Sequence, residues 1–273
     1  MKLRILVDNY TFIDQYYLGE PGLSFYIETE GKTYLLDTGY SDILLKNAVA
    51  MGVELKNLNG VILSHGHNDH TRGMSYLREL YADGKNPPDL IAHPQVFWHR
   101  REGKLAIGMP LSRLELQPYF QIKLSDRPLW LTSKLVYLGE IGRSNDFEGQ
   151  HAIGEIETPL EGWQPDQVRD DSALAYCTDK GLVVLTGCSH AGICNIIEQA
   201  KRICKEKRIA AVVGGFHLLQ AEDEKLQKTI DYLCQQQIGA IYACHCTDFA
   251  AKMELAKSLP VYEAGVGLSL EWS

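Results

Sequence analysis

Apolar and polar positions along the chain alternate with two periods, one typical of β-strands and one typical of amphipathic helices. In the first third, short apolar runs predict strands over residues 3–7, 23–29, 33–37, 60–64 and 90–92. Helical spacing between these runs predicts helices over 43–51 and 71–81. This regular alternation favours an α/β fold in which helices cover a sheet.

The C-terminal part of the chain repeats the same alternation. Its predicted strands are 173–177, 182–186, 210–213, 240–243 and 261–263, and its predicted helices are 193–203, 226–234 and 249–259. Between the two parts, from about 94 to 167, glycine and proline are frequent and apolar positions lose their period. We expect this segment to be loop-rich and to lie over a cleft. No tandem repeat is detected, so a single domain is predicted over residues 1–273.

The overall composition is that of a folded protein with a large core, because 45% of the 273 residues are hydrophobic and 23% are charged. A formal net charge of −8 argues against binding to nucleic acid, which requires a basic face. The charge remains compatible with a small anionic substrate, because bound divalent cations reverse the local field. No apolar run approaches the ~20 residues of a membrane span. We therefore expect no membrane partner. The seven cysteines are scattered and do not form a disulfide framework, so we expect a cytoplasmic protein.

The strongest chemical signal lies in residues 64–70, Ser-His-Gly-His-Asn-Asp-His, which follow a predicted strand and precede a predicted helix. Four of these side chains can bind a metal: His65, His67, Asp69 and His70. On such a turn His65 and His67 can reach one cation, while Asp69 and His70 are offset towards a second. Imidazole and carboxylate suit zinc, iron or manganese. The alternative, a polar loop that happens to be rich in histidine, is disfavoured by four ligands in one short window.

The residues His65-Gly66-His67-Asn68-Asp69-His70 match the signature of the metallo-β-lactamase superfamily, and the resemblance extends over essentially the whole chain. The chain most resembles the 7,8-dihydropterin-6-methyl-4-(β-D-ribofuranosyl)aminobenzene-5′-phosphate synthase-like branch. The segments that suggest this branch are residues 36–39, 170–174, 186–192, 214–217 and 244–247. The resemblance implies an αββα sandwich with one or two divalent metal ions, zinc first among the candidates. It also implies that His245 is the last metal ligand.

The chain departs from the superfamily pattern at two places. Cys188 stands where an aspartate often bridges two metals, and Asp170-Asp171 occupy the region where an upstream histidine is expected. We expect His190 to supply the missing imidazole, with a place in the first turn of a helix as the alternative. Cys188 is either a metal thiolate or a small buried residue. If Cys188 is inert, the second site is open or the centre is mononuclear.

Other side chains are candidates for supporting roles. Asp37, beside the metal turn by resemblance, is expected to accept the N–H of a ligating imidazole, and Asp171 could do the same or bind a metal. His217 follows two glycines whose amides could bind an anion, so it is a candidate for substrate contact. The remaining expectations concern packing and the surface: Cys244 and Cys246 pack, while His99 is at the surface, where Arg100 and Arg101 could receive a phosphate.

These observations predict a metal-dependent hydrolase that uses metal-bound hydroxide on a phosphoester or another small anionic molecule. Asp69 would orient the water or accept its proton. One alternative, implied by the resemblance, is condensation of a dihydropterin with a ribosyl-aminobenzene phosphate. Another is a metal-containing ligand sensor with slow turnover. A nuclease and a β-lactamase are less favoured, the former because the acidic chain lacks a basic face.

Overall fold

A computed structural model describes all residues from 1 to 273. The strands are β1 Lys2–Val7, β2 Ser24–Thr29, β3 Lys32–Leu36, β4 Gly60–Ile62, β5 Asp89–Ala92, β6 Arg100–Glu102, β7 Leu105–Ala106, β8 Gln121–Leu124, β9 Leu129–Trp130, β10 Leu135–Tyr137, β11 Glu155–Thr158, β12 Gly162–Pro165, β13 Ala173–Thr178, β14 Gly181–Thr186, β15 Ile209–Gly214, β16 Ile241–Ala243 and β17 Ser269–Glu271. The α-helices are α1 Ile43–Ala50, α2 Asn68–Thr71, α3 Met74–Leu77, α4 Arg113–Leu116, α5 Ile193–Cys204, α6 Asp223–Gln235 and α7 Phe249–Ala256. Short 3₁₀ helices span Arg78–Tyr81 and Pro94–Phe97. None of the helices has the length and apolar character needed to cross a bilayer.

The chain folds into two compact units, each assembled from separate stretches of sequence. Unit 1 comprises residues 1–126, 152–170 and 265–272, and unit 2 comprises residues 127–151 and 171–264 with Ser273. Each unit has its own apolar core. That residues 1–273 act as one domain stays a prediction.

The main sheet of unit 1 has seven strands in the order β17-β1-β2-β3-β4-β5-β8. Neighbours from β17 to β3 are antiparallel, and those from β3 to β8 are parallel. The β2–β3 hairpin turns at Glu30 and Gly31, which both have positive φ, as tight hairpin turns of the primed types require. Strand β4 lies in the parallel part of the sheet, and the turn that carries the histidines follows its carboxyl end. Ligands of open α/β sheets bind at this end of the strands.

The helix predicted over 71–81 is not continuous. It is replaced by α2, α3 and a 3₁₀ turn, with an interruption at Arg72 and Gly73. A Cβ at Gly73 would lie 2.0 Å from the carbonyl oxygen of Thr38, so the backbone here packs directly against the loop after β3. This close approach takes precedence over helical continuity, although Met74 and Leu77 are still buried as the pattern predicts.

The segment from about 94 to 167 contains more regular structure than its sequence pattern indicates. Within unit 1 it forms a second sheet of four short antiparallel strands in the order β12-β11-β6-β7. Each of these strands is only two to four residues long, too short to establish a period. The β6–β7 hairpin also contacts the histidine turn: the N–H of Asn68 donates to the carbonyl of Ile107 at 2.8 Å.

Unit 2 contains a six-stranded sheet in the order β16-β15-β14-β13-β10-β9. Strands β14, β15 and β16 are parallel, and the others pair antiparallel. The sheet and helices α5 to α7 share one apolar core, to which β14 and α5 contribute many fully buried aliphatic side chains. The strand predicted over 261–263 is absent. Val261 forms only an isolated bridge to Ile241, and the pairing does not extend beyond this residue.

Candidate metal-binding clusters

The cluster of unit 1 lies on the turn between β4 and α2. His65 and His70 are fully buried, and His67 is nearly so. Nε2 of His65 lies 3.0 Å from Nδ1 of His67, within hydrogen-bond distance, so these two ring nitrogens face each other. Asp69 Oδ2 lies 3.6 Å from His70 Nε2. Within this unit the structure therefore brings together the predicted pairs His65 with His67 and Asp69 with His70.

Asp37, at the end of β3, organises the imidazoles from behind. Its Oδ2 lies 2.7 Å from Nδ1 of His70 and accepts the hydroxyl of Ser64 at 2.7 Å, while its Oδ1 accepts the N–H of Ser64. Because a carboxylate only accepts hydrogen bonds, Nδ1 of His70 carries the proton and Nε2 has the lone pair. The Ser64 hydroxyl is already donated, so at 2.9 Å it accepts Nδ1–H of His65. One carboxylate thus sets the tautomer of two histidines.

A buried ion-pair network lies behind the same turn. His99 is exposed as predicted, but Arg100 is not available to receive a phosphate, because its side chain is fully buried. Its Nε is 2.7 Å from Asp166 Oδ2, and its Nη2 is 2.7 Å from Asp170 Oδ1. The other oxygen of Asp170 accepts the N–H of Gly66 at 2.8 Å. No pattern in the sequence predicts this network, because its members lie far apart along the chain.

The pKa of His67 is lowered by its surroundings. Burial, and secondarily the positive charge of Arg100, lower the pKa of His67 from 6.5 to about 4. His67 is therefore neutral at pH 7, and an imidazole must be neutral to bind a metal.

The cluster of unit 2 lies at the carboxyl ends of its three parallel strands. Cys188 and His190 follow β14, His217 follows β15, and His245 follows β16. Ligand atoms of Cys188 and His245 lie within 4.8 Å of each other, and the rings of His190 and His217 have centroids 4.4 Å apart. His217 and His245 both have positive φ, an unfavourable backbone conformation that tends to persist at functional sites.

The amides around the two glycines before His217 do not match the sequence interpretation. The N–H groups of Gly215, Phe216 and His217 donate to the Gly187 carbonyl, the Thr247 hydroxyl and Cys246 Sγ, respectively. They are therefore not free to bind an anion. A Cβ at Gly214 would lie 2.1 Å from the Thr186 carbonyl oxygen, so this glycine serves close strand packing. The ring of His217 remains the candidate contact, and its Nδ1 is buried without a hydrogen-bond partner.

Cys246 has a larger part in this cluster than packing alone. Besides accepting the His217 amide, its thiol donates to the Cys188 carbonyl at 3.3 Å. Burial raises the pKa of the Cys246 thiol, but hydrogen bonding with the side chains of Cys188 and His217 and the charge of His245 outweigh burial and hold the pKa well below its usual range. Cys244, by contrast, is fully buried. The tripeptide Cys-His-Cys is the sequence signal that could have indicated Cys246.

Asp171 supports the loop of His190. Its Oδ2 accepts the N–H of Ala191 at 2.9 Å, which fixes the residue after the histidine.

Unit 1 offers three imidazoles and a carboxylate as candidate metal ligands, and unit 2 offers imidazoles and a thiol. This donor chemistry fits a divalent metal such as zinc, iron or manganese.

The chain is similar in sequence and in fold to several known proteins. The family model of the metallo-beta-lactamase superfamily matches residues 18–202. The 7,8-dihydropterin-6-methyl-4-(beta-D-ribofuranosyl)-aminobenzene-5′-phosphate synthase of Methanocaldococcus jannaschii is 31% identical over 92% of this chain and 89% of its own length. The uncharacterized protein MJ0448 of the same organism is 30% identical over 93% of this chain and 94% of its own length. The crystal structure of Tm1679, a metal-dependent hydrolase of the beta-lactamase superfamily, superposes with a TM-score of 0.84 at 28% identity, covering 100% of this chain and 99% of that one.

Proposed function

The chain belongs to the metallo-β-lactamase superfamily, and on that basis we propose that it is a metal-dependent hydrolase acting on a phosphoester or another small anionic molecule. The observation that carries the proposal is the pair of buried ring nitrogens of His65 and His67, which face each other at 3.0 Å. Buried imidazoles that converge in this way are suited to binding a cation. The similarity to the hydrolase Tm1679 over the full chain favours the same type of chemistry.

The proposed ligands are His65, His67, Asp69, His70, His190 and His245, with Cys188 as a candidate thiolate ligand. Three local features support them. Asp37 holds Nδ1–H of His70 and, through Ser64, Nδ1–H of His65, which leaves Nε2 of both rings for a metal. His67 is neutral at physiological pH. Cys188 and His245 have ligand atoms within 4.8 Å of each other.

The chemistry that a divalent metal supplies, when bound, is a lowered pKa for a coordinated water and polarisation of the atom under attack. The protein supplies the remaining functions. The Asp69 carboxylate, one-third exposed, orients the attacking water or accepts its proton. The ring of His217 binds the anionic group of the substrate. Lys225, whose Nζ donates to the His217 carbonyl at 3.1 Å, holds that loop in place.

The first test is elemental analysis of the purified full chain, combined with a panel of phosphomonoesters, phosphodiesters and carboxylic esters. We expect one or two atoms of zinc, iron or manganese per chain and hydrolysis of at least one ester. The matched variant is His67→Ala, which should lose both metal and activity, because a ligand of the centre has been removed. A metal-free wild type after reconstitution, or full activity in His67→Ala, would contradict the proposal.

A second function is favoured by the relative from M. jannaschii, whose name describes a synthase. We infer that the same centre could join a dihydropterin to a ribofuranosyl-aminobenzene phosphate: the amino nitrogen would form a bond to the 6-methyl carbon, displace a leaving group such as diphosphate from that carbon, and lose its proton. The two functions are separated by incubating the metal-loaded protein with both precursors and analysing the mixture by mass spectrometry. A coupled product without activity on the ester panel would favour the synthase. Tight binding of the precursors with no turnover in either assay would favour a ligand sensor.

A further inference from the structure

Arg100 is the largest of the fully buried side chains, with a relative exposure of 2%. Three of its guanidinium nitrogens are engaged: Nε with Asp166, Nη2 with Asp170, and Nη1 with the carbonyl of Gln95 at 3.3 Å. A planar guanidinium can bridge two carboxylates in this fixed geometry, whereas a lysine ammonium cannot. Arg100 therefore fixes the positions of both aspartates relative to β6.

The network ends on the backbone between two proposed ligands. Asp170 uses one oxygen for Arg100 and the other for the N–H of Gly66, which separates His65 from His67. Arg100 also contacts this peptide directly, because a Cβ at Gly66 would lie 2.1 Å from Nη1 and 2.6 Å from the Val96 carbonyl oxygen. The glycine is thus required by the arginine behind it, not by the conformation of the turn.

Burying an arginine with two carboxylates adds little to the stability of a fold, because desolvation of the charges offsets their attraction. An apolar side chain of similar volume would fill the space at lower cost. What it could not do is hold the Asp170 carboxylate in one orientation towards the Gly66 amide. The network therefore suits positioning better than stability.

We propose that Arg100 is a positioning residue for the metal centre, which acts through Asp170 to fix the peptide between His65 and His67. The inference rests on the proposed function, since it assumes that these two histidines bind the metal. Arg100 touches neither metal nor substrate. It sets the direction of the two imidazoles, and so the affinity and coordination geometry of the ion.

The test compares full-length wild type with Arg100→Lys, Arg100→Met and Asp170→Asn. Each metal-stripped protein is titrated with Co²⁺ in competition with a chromogenic chelator, and its visible absorption spectrum reports the coordination geometry. We expect affinity to fall by about 10- to 100-fold in each variant, as is typical when a group that orients a ligand is changed. The Co²⁺ spectrum should change as well, a result that a purely structural role would not produce.

Arg101→Met is the matched control. Arg101 is the next residue of β6 and also forms an ion pair, 2.8 Å from Glu155, but its side chain is 39% exposed and lies over the ring of Trp163. This variant should keep the affinity and spectrum of the wild type. If Arg100→Met fails to fold, Arg100→Lys and Asp170→Asn carry the same comparison, with folding checked by circular dichroism.

The outcomes separate this inference from the proposed function. A wild type that binds Co²⁺ while the folded Arg100 and Asp170 variants keep its affinity and spectrum would overturn the positioning role alone. A wild type that binds no Co²⁺ would overturn both. Weaker binding with an altered spectrum in Arg100→Lys and Asp170→Asn, but not in Arg101→Met, supports the inference.

Discussion

Oδ2 of Asp37 lies 2.7 Å from Nδ1 of His70, and both side chains are fully buried. The pair joins the end of β3 to the turn after β4, two neighbouring parallel strands. Asp37 reaches this position with a positive φ, an unfavourable conformation for a non-glycine residue. The fold maintains that strain at the point where a carboxylate can orient a ligating imidazole.

Asp37→Asn is therefore expected to weaken metal binding about 10- to 100-fold. The amide cannot accept from Ser64 and His70 as the carboxylate does, so the imidazoles lose their fixed tautomer. Chelator competition measures the change. Asp8→Asn is the control, since Asp8 is also a fully buried aspartate near a strand end of unit 1 but pairs with the Tyr10 amide. Equal affinities in the two variants would contradict the role of Asp37.

Gly66→Ala is expected to destabilise the protein by about 1–3 kcal/mol, the usual cost of overpacking, and to lower its metal content. The added methyl would lie 2.1 Å from Arg100 Nη1. Chemical denaturation and elemental analysis give the two quantities. Gly142→Ala provides the comparison, because a Cβ there would meet only Gln199 Oε1, at 3.7 Å. Wild-type stability in Gly66→Ala would show that Arg100 does not pack against the turn as described.

The metal-free protein should lose stability as the pH falls from about 6.5 to about 4. The pKa of His67 is about 4 when folded, below its ordinary value of 6.5, so the unfolded chain binds more protons in this window. The loss attributable to His67 approaches about 3 kcal/mol at the lower end. Urea unfolding of wild type and His67→Gln across this pH range isolates the contribution. Parallel pH profiles for the two proteins would refute it.

Cys188→Ser should reduce the occupancy of one metal and leave any other in place. Its ligand atom lies within 4.8 Å of that of His245, and a serine hydroxyl is a poorer ligand for zinc than a thiolate. Elemental analysis under limiting metal measures the change, with Cys234→Ser, an exposed thiol on α6, as the control. Unchanged stoichiometry would assign Cys188 to the core.

His217→Ala should keep the metals and raise KM for an anionic substrate, while kcat changes less. The reason is that His217 is proposed to contact the substrate, not the metal. Steady-state kinetics on the ester found by the panel, with elemental analysis of the same sample, separates the two roles. Loss of metal in this variant would make His217 a ligand.

The sequence was informative where the chemistry is local. Four ligands within residues 65–70 define the motif, and the predicted α/β fold of the metallo-β-lactamase type is confirmed by the family match and the superposition. Long, periodic elements such as α5 were also predicted, because their apolar spacing spans several turns.

The sequence was uninformative where contacts join distant residues. Gly66 and Asp170 are 104 positions apart, and Arg100 and Asp170 are 70 apart. No periodicity encodes such a pairing, so the sequence indicated only that Arg100 could receive a phosphate. The interruption at Gly73 has the same origin, since it depends on a close approach to Thr38 that helical spacing cannot reveal.

Strand β17, near the C-terminal end of the sequence, pairs with β1, near its beginning, in the register Lys2 with Glu271. During synthesis β1 can pair with β2 early. Its other edge stays unpaired until residues 269–271, which form β17, have left the ribosome. An uncovered strand edge is a template for pairing between chains. Until residues 269–271 have been synthesised, that edge of β1 is therefore open to pairing with a strand of another copy, and pairing with β17 covers it.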